Sequence, residues 1–447
     1  MKFLQNKVVL ITGAGFSAPA KLPIQDRILK EMVQPPEPDF LRANPNEESV
    51  KFLFAYIKVS LYLLKEYGNC DVAEVEDDFN KLTEVYAADN RVQEVLKYIE
   101  ETKVEEAQQK DFNINNILDE VADKFIIDDT QFFYELLAIK EKLRGYLFEK
   151  NVQVSLEDVF TAFDKSMAMR ENTSNFTYAQ MDDLQHAVLR LFTYYFSKRV
   201  NQHEYTHPDY EFVVKYLKRY QNNISIITTN WDVLLEKYLE NASVKYNYPF
   251  NSSYVVNSEG ELYRNIVKRE MEIPYIKVHG SINWFRCLRC GTLQVSGIPQ
   301  CGAFLFDDAQ PEKCLKCGQV GYGSNILIRP EIITPTMLKS INGQLYNNLW
   351  QNAAYELQKA SKIIFCGYSL PIADFEFRHL LKQNVNSSVE IDVVLHTNDN
   401  PEVYLEESAK ELLPEKRFKD LFANNKCSFY YNGFGDYFRK TFELKED

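Results

Sequence analysis

Apolar residues are arranged along this chain in two regimes. One consists of short β-branched runs that each stop on small or polar residues; the other of long stretches in which apolar residues recur every three or four positions. The first run, Val8-Val9-Leu10-Ile11, leads into Thr12-Gly13-Ala14-Gly15-Phe16-Ser17. It reads as a buried parallel strand that turns sharply, where glycines without side chains let the backbone approach a phosphate-bearing ligand. Taken alone, the pattern fits an ordinary strand-to-helix turn equally well. Ala18-Pro19-Ala20-Lys21-Leu22-Pro23 is too turn-rich to continue a helix, which predicts a loop over the glycines and helix again from Gln25 to Val33.

Further runs follow the same rule. Ile224 to Thr228 ends on Thr229-Asn230-Trp231-Asp232, with a helix from Val233 to Leu239. Pro274 to Val278 ends on His279-Gly280-Ser281. Ile326 to Ile333 is another strand. Ser361 to Cys366 ends on Gly367-Tyr368-Ser369-Leu370-Pro371, with a helix around Phe375 to Lys382, and Val389 to His396 ends on Thr397-Asn398-Asp399-Asn400. Strands that finish in small or polar residues and alternate with helices predict a doubly wound parallel sheet with a ligand across its carboxyl edge.

Between the first two runs the chain has helical spacing, as in Val50 to Ile57 and Phe132 to Ile139. Around Asp71 to Lys110 it is acidic and less clearly periodic, which predicts looser packing. Ser155, with Asp158 three residues on, predicts a capped helix start, and helical character persists to about Tyr220. His186, His203 and His207 lie in this part; packed or solvated histidines are their default reading.

Two near-identical knuckles, Cys287-Leu288-Arg289-Cys290-Gly291 and Cys314-Leu315-Lys316-Cys317-Gly318, carry the most specific spacing. Each lets two thiolates face one point, and two pairs make a closed tetrahedral zinc site that stabilises without catalysing. Cys301 is the spare thiol between them. The expected fold class is therefore α/β, a doubly wound parallel Rossmann-like sheet with a small four-cysteine zinc ribbon and a large α-helical insertion. The expected division is 1–34, 222–284 and 322–447 for the nucleotide-binding domain, 35–221 for the insertion and 285–321 for the zinc module.

Composition narrows the function classes. The 447 residues are 45% hydrophobic, enough for a substantial core and more than one domain. A formal net charge of -13 argues against a broad nucleic-acid surface, which needs clustered excess cations. No apolar stretch is long enough to span a bilayer and none near the start has secretory length, so a soluble cytoplasmic protein without membrane contact is expected.

The order of the strand ends resembles the sirtuin family: Gly-Ala-Gly-x-Ser, Thr-x-Asn-x-Asp, His-Gly, two cysteine pairs, Arg-Pro, Gly-x-Ser-Leu and Asn. These motifs cover residues 5 to 30 and about 222 to 400. The resemblance implies NAD as the substrate, its nicotinamide-ribose bond as the bond cleaved, and zinc as a structural ion. It implies that Gly13, Ala14, Gly15, Ser17 and Pro23 border the dinucleotide, with Gly367, Ser369 and Asn398 at its phosphates and ribose. It also implies Asn230, preceded by Thr229, beside the nicotinamide ribose, Asp232 at the carboxamide and His279 as the base.

The sequence also departs from the sirtuin deacylases. Pro23-Ile24-Gln25-Asp26 stands where they carry Asp-Phe-Arg after the proline, and Thr229 replaces a glutamine. Arg329-Pro330-Glu331-Ile332-Ile333-Thr334-Pro335-Thr336 replaces the segment that pairs with an acyl-lysine peptide, and Pro335 lacks the N–H such pairing uses. The chain is thus most similar to the sirtuin-like NAD hydrolases of bacterial anti-phage defence. That likeness implies water as the nucleophile and control through homo-oligomerisation, an activating protein partner or phage trigger, or the helical insertion. An NAD-dependent protein deacylase and a non-enzymatic NAD or ADP-ribose sensor keep the same binding residues and stay open.

Overall fold

The computed structural model describes residues 7–22, 47–84, 129–204, 206–249, 272–287, 289–295, 328–334, 344–396 and 413–443, the pieces 254–256 and 262–264, and positions Leu29, Met32, Cys317, Thr336 and Asp399. The described strands are β1 (Val8–Thr12), β2 (Ile224–Thr228), β3 (Tyr246–Asn247), β4 (Tyr254–Val256), β5 (Leu262–Arg264), β6 (Ile273–Lys277), β7 (Gly280–Cys287), β8 (Leu293–Val295), β9 (Ile328–Ile332), β10 (Lys362–Cys366), β11 (Glu390–Val394) and β12 (Lys426–Tyr430).

Seven of them form one sheet in the order β12-β11-β10-β1-β2-β6-β3, every neighbouring pair parallel. All five residues of β1 and of β2 are buried, as a strand covered on both faces requires. Val9, Ile11, Ile227, Ile363, Phe365, Ile391 and Val393 share one core with Leu349, Ala353 and Leu357 of the helix Gln344–Lys359, and with Phe377, Leu381 and Phe418. On the other side Tyr437 of the helix Gly433–Glu443 donates to Asp392 Oδ2 at 2.5 Å, and Phe438 meets Tyr216 of the helix Pro208–Arg219 at 5.0 Å. The sheet is therefore doubly wound, of Rossmann type. Its strand order reverses at β1, which has β2 and β6 on one side and β10 and β11 on the other. In such sheets the crevice outside the carboxyl ends at the reversal is where ligands bind.

The run from Ile326 to Ile333 does not join this sheet. Its strand, β9, pairs antiparallel with β7 in a separate sheet ordered β8-β7-β9. An apolar run specifies burial and not the partner strand, so the pattern alone could not separate the two sheets. The expected loop after the glycines is also different. A four-residue helix, Ala14–Ser17, starts directly behind Gly13, and a 3-10 turn, Ala18–Ala20, follows it with Pro19 in its first positions, where no backbone donor is needed.

The chain divides into two compact units. One comprises Met1–Glu31, Ser155–Arg170 and Phe192–Asp447 and contains the seven-stranded sheet, the sheet β8-β7-β9 and the pair β4-β5; the other comprises Met32–Val154 and Glu171–Leu191. The helices of the second unit include Glu47–Glu66 and Asp129–Lys150. Residues 73–84 are helical there too, with Val75, Phe79 and Leu82 buried on one face. The looser packing expected from Asp71 onward thus does not hold for that segment, whose exposed acidic face masks its apolar spacing; residues 85–110 lie outside the described residues. In the first unit Ser155 caps the helix Leu156–Met169, accepting from the Asp158 N–H at 3.0 Å. Among the described residues no helix is long and apolar enough to cross a membrane.

Candidate functional site

The crevice at the strand reversal is built from two turns that fit into each other. The Gly13 N–H donates to Cys366 O at 3.2 Å and the Gly15 N–H to Gly367 O at 2.8 Å. A Cβ on Gly13 would meet the Tyr368 ring at 2.6 Å, and one on Gly367, where φ is +59°, would meet Phe16 N at 2.1 Å. These glycines are required first by the contact between the two turns, a reason for them that the sequence pattern does not show. Ala14 and Gly15 lie exposed on the rim, whereas Gly13 and Ser17 are buried.

At the end of β2, Asn230 closes over the first turn. Its Nδ2 donates to Gly13 O at 3.0 Å and to Ser17 Oγ at 3.1 Å. Gly13 O can only accept, which fixes the amide orientation and makes Asn230 Oδ1 the acceptor end of the side chain. Ser17 Oγ in turn donates to Asp232 Oδ2 at 2.8 Å, while Asp232 Oδ1 takes the Leu234 N–H at 3.0 Å, at the start of the helix Leu234–Asn241. Ser17 and Asp232, 3% and 6% exposed, are thus linked to each other and to Asn230, and hold it from behind. Thr229 is buried, its N–H on Thr12 O at 3.1 Å.

A buried ion pair lies under this corner. Lys277, the last residue of β6, donates to Glu236 Oε1 at 2.7 Å and to Asp232 O at 2.5 Å, and both side chains are fully inaccessible. Tyr275 and Tyr248 add hydrogen bonds to Glu236 at 3.0 and 3.2 Å. Burial, then the neighbouring Glu236 charge, drives both phenols well above their ordinary pKa, so they remain donors. Every polar atom of the pair has a partner, the condition under which a buried charge pair is tolerated.

His279 follows two residues after Lys277, buried, with Nε2 at 3.9 Å from Asp374 Oδ1. Asp374 Oδ2 accepts from the Tyr368 hydroxyl at 3.0 Å. The same Tyr368 fills the space beside Gly13. His279 and the Asn230 corner therefore meet through the second turn, by way of Asp374 and Tyr368, two residues the sequence motifs do not single out. Ser369 is exposed, and its carbonyl takes two hydrogen bonds from Arg417 at 2.9 and 3.1 Å. Pro23 and Asn398 lie outside the described residues.

An aromatic cradle, equally invisible in the motifs, fixes the first turn from the other side. Tyr210 donates to Phe16 O at 2.6 Å, the Phe16 ring stacks on Phe434 at 4.7 Å, and Tyr210 stacks on Tyr238 at 4.6 Å. Burial pushes Tyr238 up to about 12.

Among the described residues three thiols, Cys287, Cys290 and Cys317, have their sulfurs within 4.8 Å of one another. Cys287 and Cys317 are 3.8 Å apart, too far for a disulfide. Four sulfurs at about 2.3 Å from a tetrahedral zinc would stand about 3.8 Å apart, so this spacing fits the ion. The Gly291 N–H on Cys287 O at 3.0 Å, with φ +68° at Gly291, forms the bend that the first knuckle needs. Cys314 and Cys301 lie outside the described residues.

The chain resembles known proteins at several points. No curated protein sequence matches it. Of the solved structures, a Sir2 complex with p53 peptide and NAD+ is similar at 16% identity, over 59% of this chain and 81% of that one, with a TM-score of 0.34. A structure titled for the mechanism and regulation of Sir2 enzymes aligns over 99% and 95% at 11% identity and a TM-score of 0.34. A Sir2 homologue mutant with ADP-ribose aligns over 57% and 76% at 18% identity and a TM-score of 0.29. Residues 224–419 match the family model of the SIR2-like domain. That span begins with β2, runs into the helix Pro414–Leu421 and carries Asn230, His279 and Gly367.

Proposed function

We propose that the chain binds NAD+ across the two interlocked turns and cleaves its nicotinamide-ribose bond with water, giving nicotinamide and ADP-ribose, as an NAD-depleting effector of bacterial anti-phage defence. The observation that carries the reading is the convergence of Asn230 and His279, from neighbouring strands β2 and β6, on the crevice where β1 and β10 end in glycine turns. Departure of nicotinamide leaves positive charge on the ribose. Such a step is helped by oriented acceptors in a site that excludes water except the attacking molecule. Asn230 Oδ1, held by two hydrogen bonds on its amide nitrogen, is such an acceptor for a ribose hydroxyl or the water. His279 accepts the proton released when water adds. Gly13, Ala14, Gly15, Gly367, Ser369, Pro23 and Asn398 would border the dinucleotide, with Ser17, Thr229 and Asp232 supporting Asn230. Cys287, Cys290, Cys314 and Cys317 would hold zinc as a structural ion away from this chemistry.

The second reading is an NAD-dependent protein deacylase. Among the described residues β9 is the outer strand of its sheet, an edge on which an extended acyl-lysine peptide could add. Pro335, which lacks the N–H such pairing uses, follows that strand and lies outside the described residues. Incubation with NAD+, with and without an acetyl-lysine peptide, separates the readings. Hydrolysis predicts ADP-ribose without peptide; a requirement for peptide, with an acetylated ADP-ribose product, would replace it with deacylation.

A further inference from the structure

Asp374 occupies the N-cap of the helix Phe375–Asn384, the position where an aspartate normally accepts a backbone N–H of the first turn. It makes no such side-chain bond. A forgone cap is unfavourable to a helix, and the carboxylate is engaged elsewhere. One oxygen is fixed by the Tyr368 hydroxyl at 3.0 Å and the other faces His279 Nε2 at 3.9 Å, the side chains being 13% and 6% exposed. The backbone that delivers it is tightly wound. Leu370, fully buried, has φ +54°, an uncommon conformation for a branched side chain; the Asp374 N–H returns to Pro371 O at 3.2 Å, and the Arg378 N–H caps Asp374 O at 2.9 Å. Tyr368 is itself buried, and burial with the adjacent Asp374 charge keeps its phenol protonated as the donor.

We infer that Asp374 is the positioning residue for His279. Its carboxylate sets the direction of the imidazole and stabilises its protonated form, while Tyr368 holds the carboxylate and ties it to the Gly13 turn. At 3.9 Å the contact is an electrostatic pair that shortens to a hydrogen bond when the ring is charged. The other charges nearby are Arg378 and Arg417, which act on Tyr368, and the Lys277–Glu236 pair, which is satisfied internally. The inference rests on the reading of His279 as the base, but its test does not depend on turnover.

The six histidines can be followed by NMR through a pH titration of the full chain, with His279→Gln assigning the signal. In Asp374→Asn, and in Asp374→Ser, which restores a good cap while removing the charge, the His279 pKa should fall by about 1 to 3 units. Asp374→Glu should recover part of the shift, and the acid limb of kcat/KM for NAD+ cleavage should move with it. A His279 titration unchanged within about 0.3 unit in both folded variants overturns the inference, whether or not NAD+ is cleaved. The shift without any NAD+ cleavage in the parent protein would uphold the pairing and remove the hydrolase reading instead.

Discussion

Gly367→Ala isolates the contact between the two glycine turns, and Gly433→Ala is its control. Both positions have positive φ, +59° and +78°. An alanine in that region costs about 1–2 kcal/mol at either site. They differ in surroundings: nothing lies within 4 Å of a Cβ at Gly433, while at Gly367 it would stand 2.1 Å from Phe16 N and 2.3 Å from Gly15 C. Those are backbone atoms, so the two turns must part by about 1 Å. Overpacking of this kind adds about 1–3 kcal/mol. The stretched Gly15 N–H to Gly367 O bond, 2.8 Å in the intact protein, adds about 1 kcal/mol more. Gly367→Ala should therefore lose about 2–4 kcal/mol more stability than Gly433→Ala in urea unfolding, read as a midpoint shift at unchanged slope. It should also lose nicotinamide release, which Gly433→Ala keeps. Equal destabilisation of the two variants within about 0.5 kcal/mol would refute the interlocked turns.

Removing one member of the buried pair should be worse than removing both. Lys277→Met leaves the inaccessible Glu236 carboxylate without its cation and should cost about 3–5 kcal/mol, most of it recovered in Lys277→Met with Glu236→Gln; an additive double-variant cycle would exclude the coupling. Elemental analysis should find one zinc per chain, lost in Cys287→Ser and Cys317→Ser, with a fall in melting temperature; full retention in both variants would show that these thiols are not ligands. His203, hydrogen-bonded to Tyr238 at 2.7 Å, is held below its ordinary pKa, first by burial and then by neighbouring His207. Its neutral form is the one the fold favours, so that stability is present above pH of about 6.5 and is lost as the pH falls through the lower folded value. His203→Gln should flatten this part of the thermal stability profile, and an unchanged slope below pH of about 6.5 would count against it.

The parallel strands were legible in the sequence because burial on both faces makes them continuous apolar runs, and the positions of Asn230, His279 and Gly367 at one sheet edge because those runs stop there. What stayed hidden depends on partners. β7 escaped notice because its polar Ser281 and Asn283 are buried against each other at 2.6 Å and break the apolar run. Asp374 stands just before the helix expected around Phe375, and only the fold brings it to His279. Ser17 and Asp232 show the same limit: the sequence does not reveal that Ser17 Oγ donates to Asp232 Oδ2 and accepts from the Asn230 amide. Spacing can place a residue at a strand end, but it does not say which way the side chain turns there.

The central claim is that Asn230 and His279 cleave NAD+. The most direct measurement is nicotinamide and ADP-ribose release from NAD+ by the wild-type chain, Asn230→Ala and His279→Ala, each with unaltered folding by thermal unfolding. The account predicts equal amounts of the two products from the wild type and a loss of about 100-fold or more in each variant. Intact NAD+ with the wild type, or turnover at the wild-type rate in either variant, would contradict it.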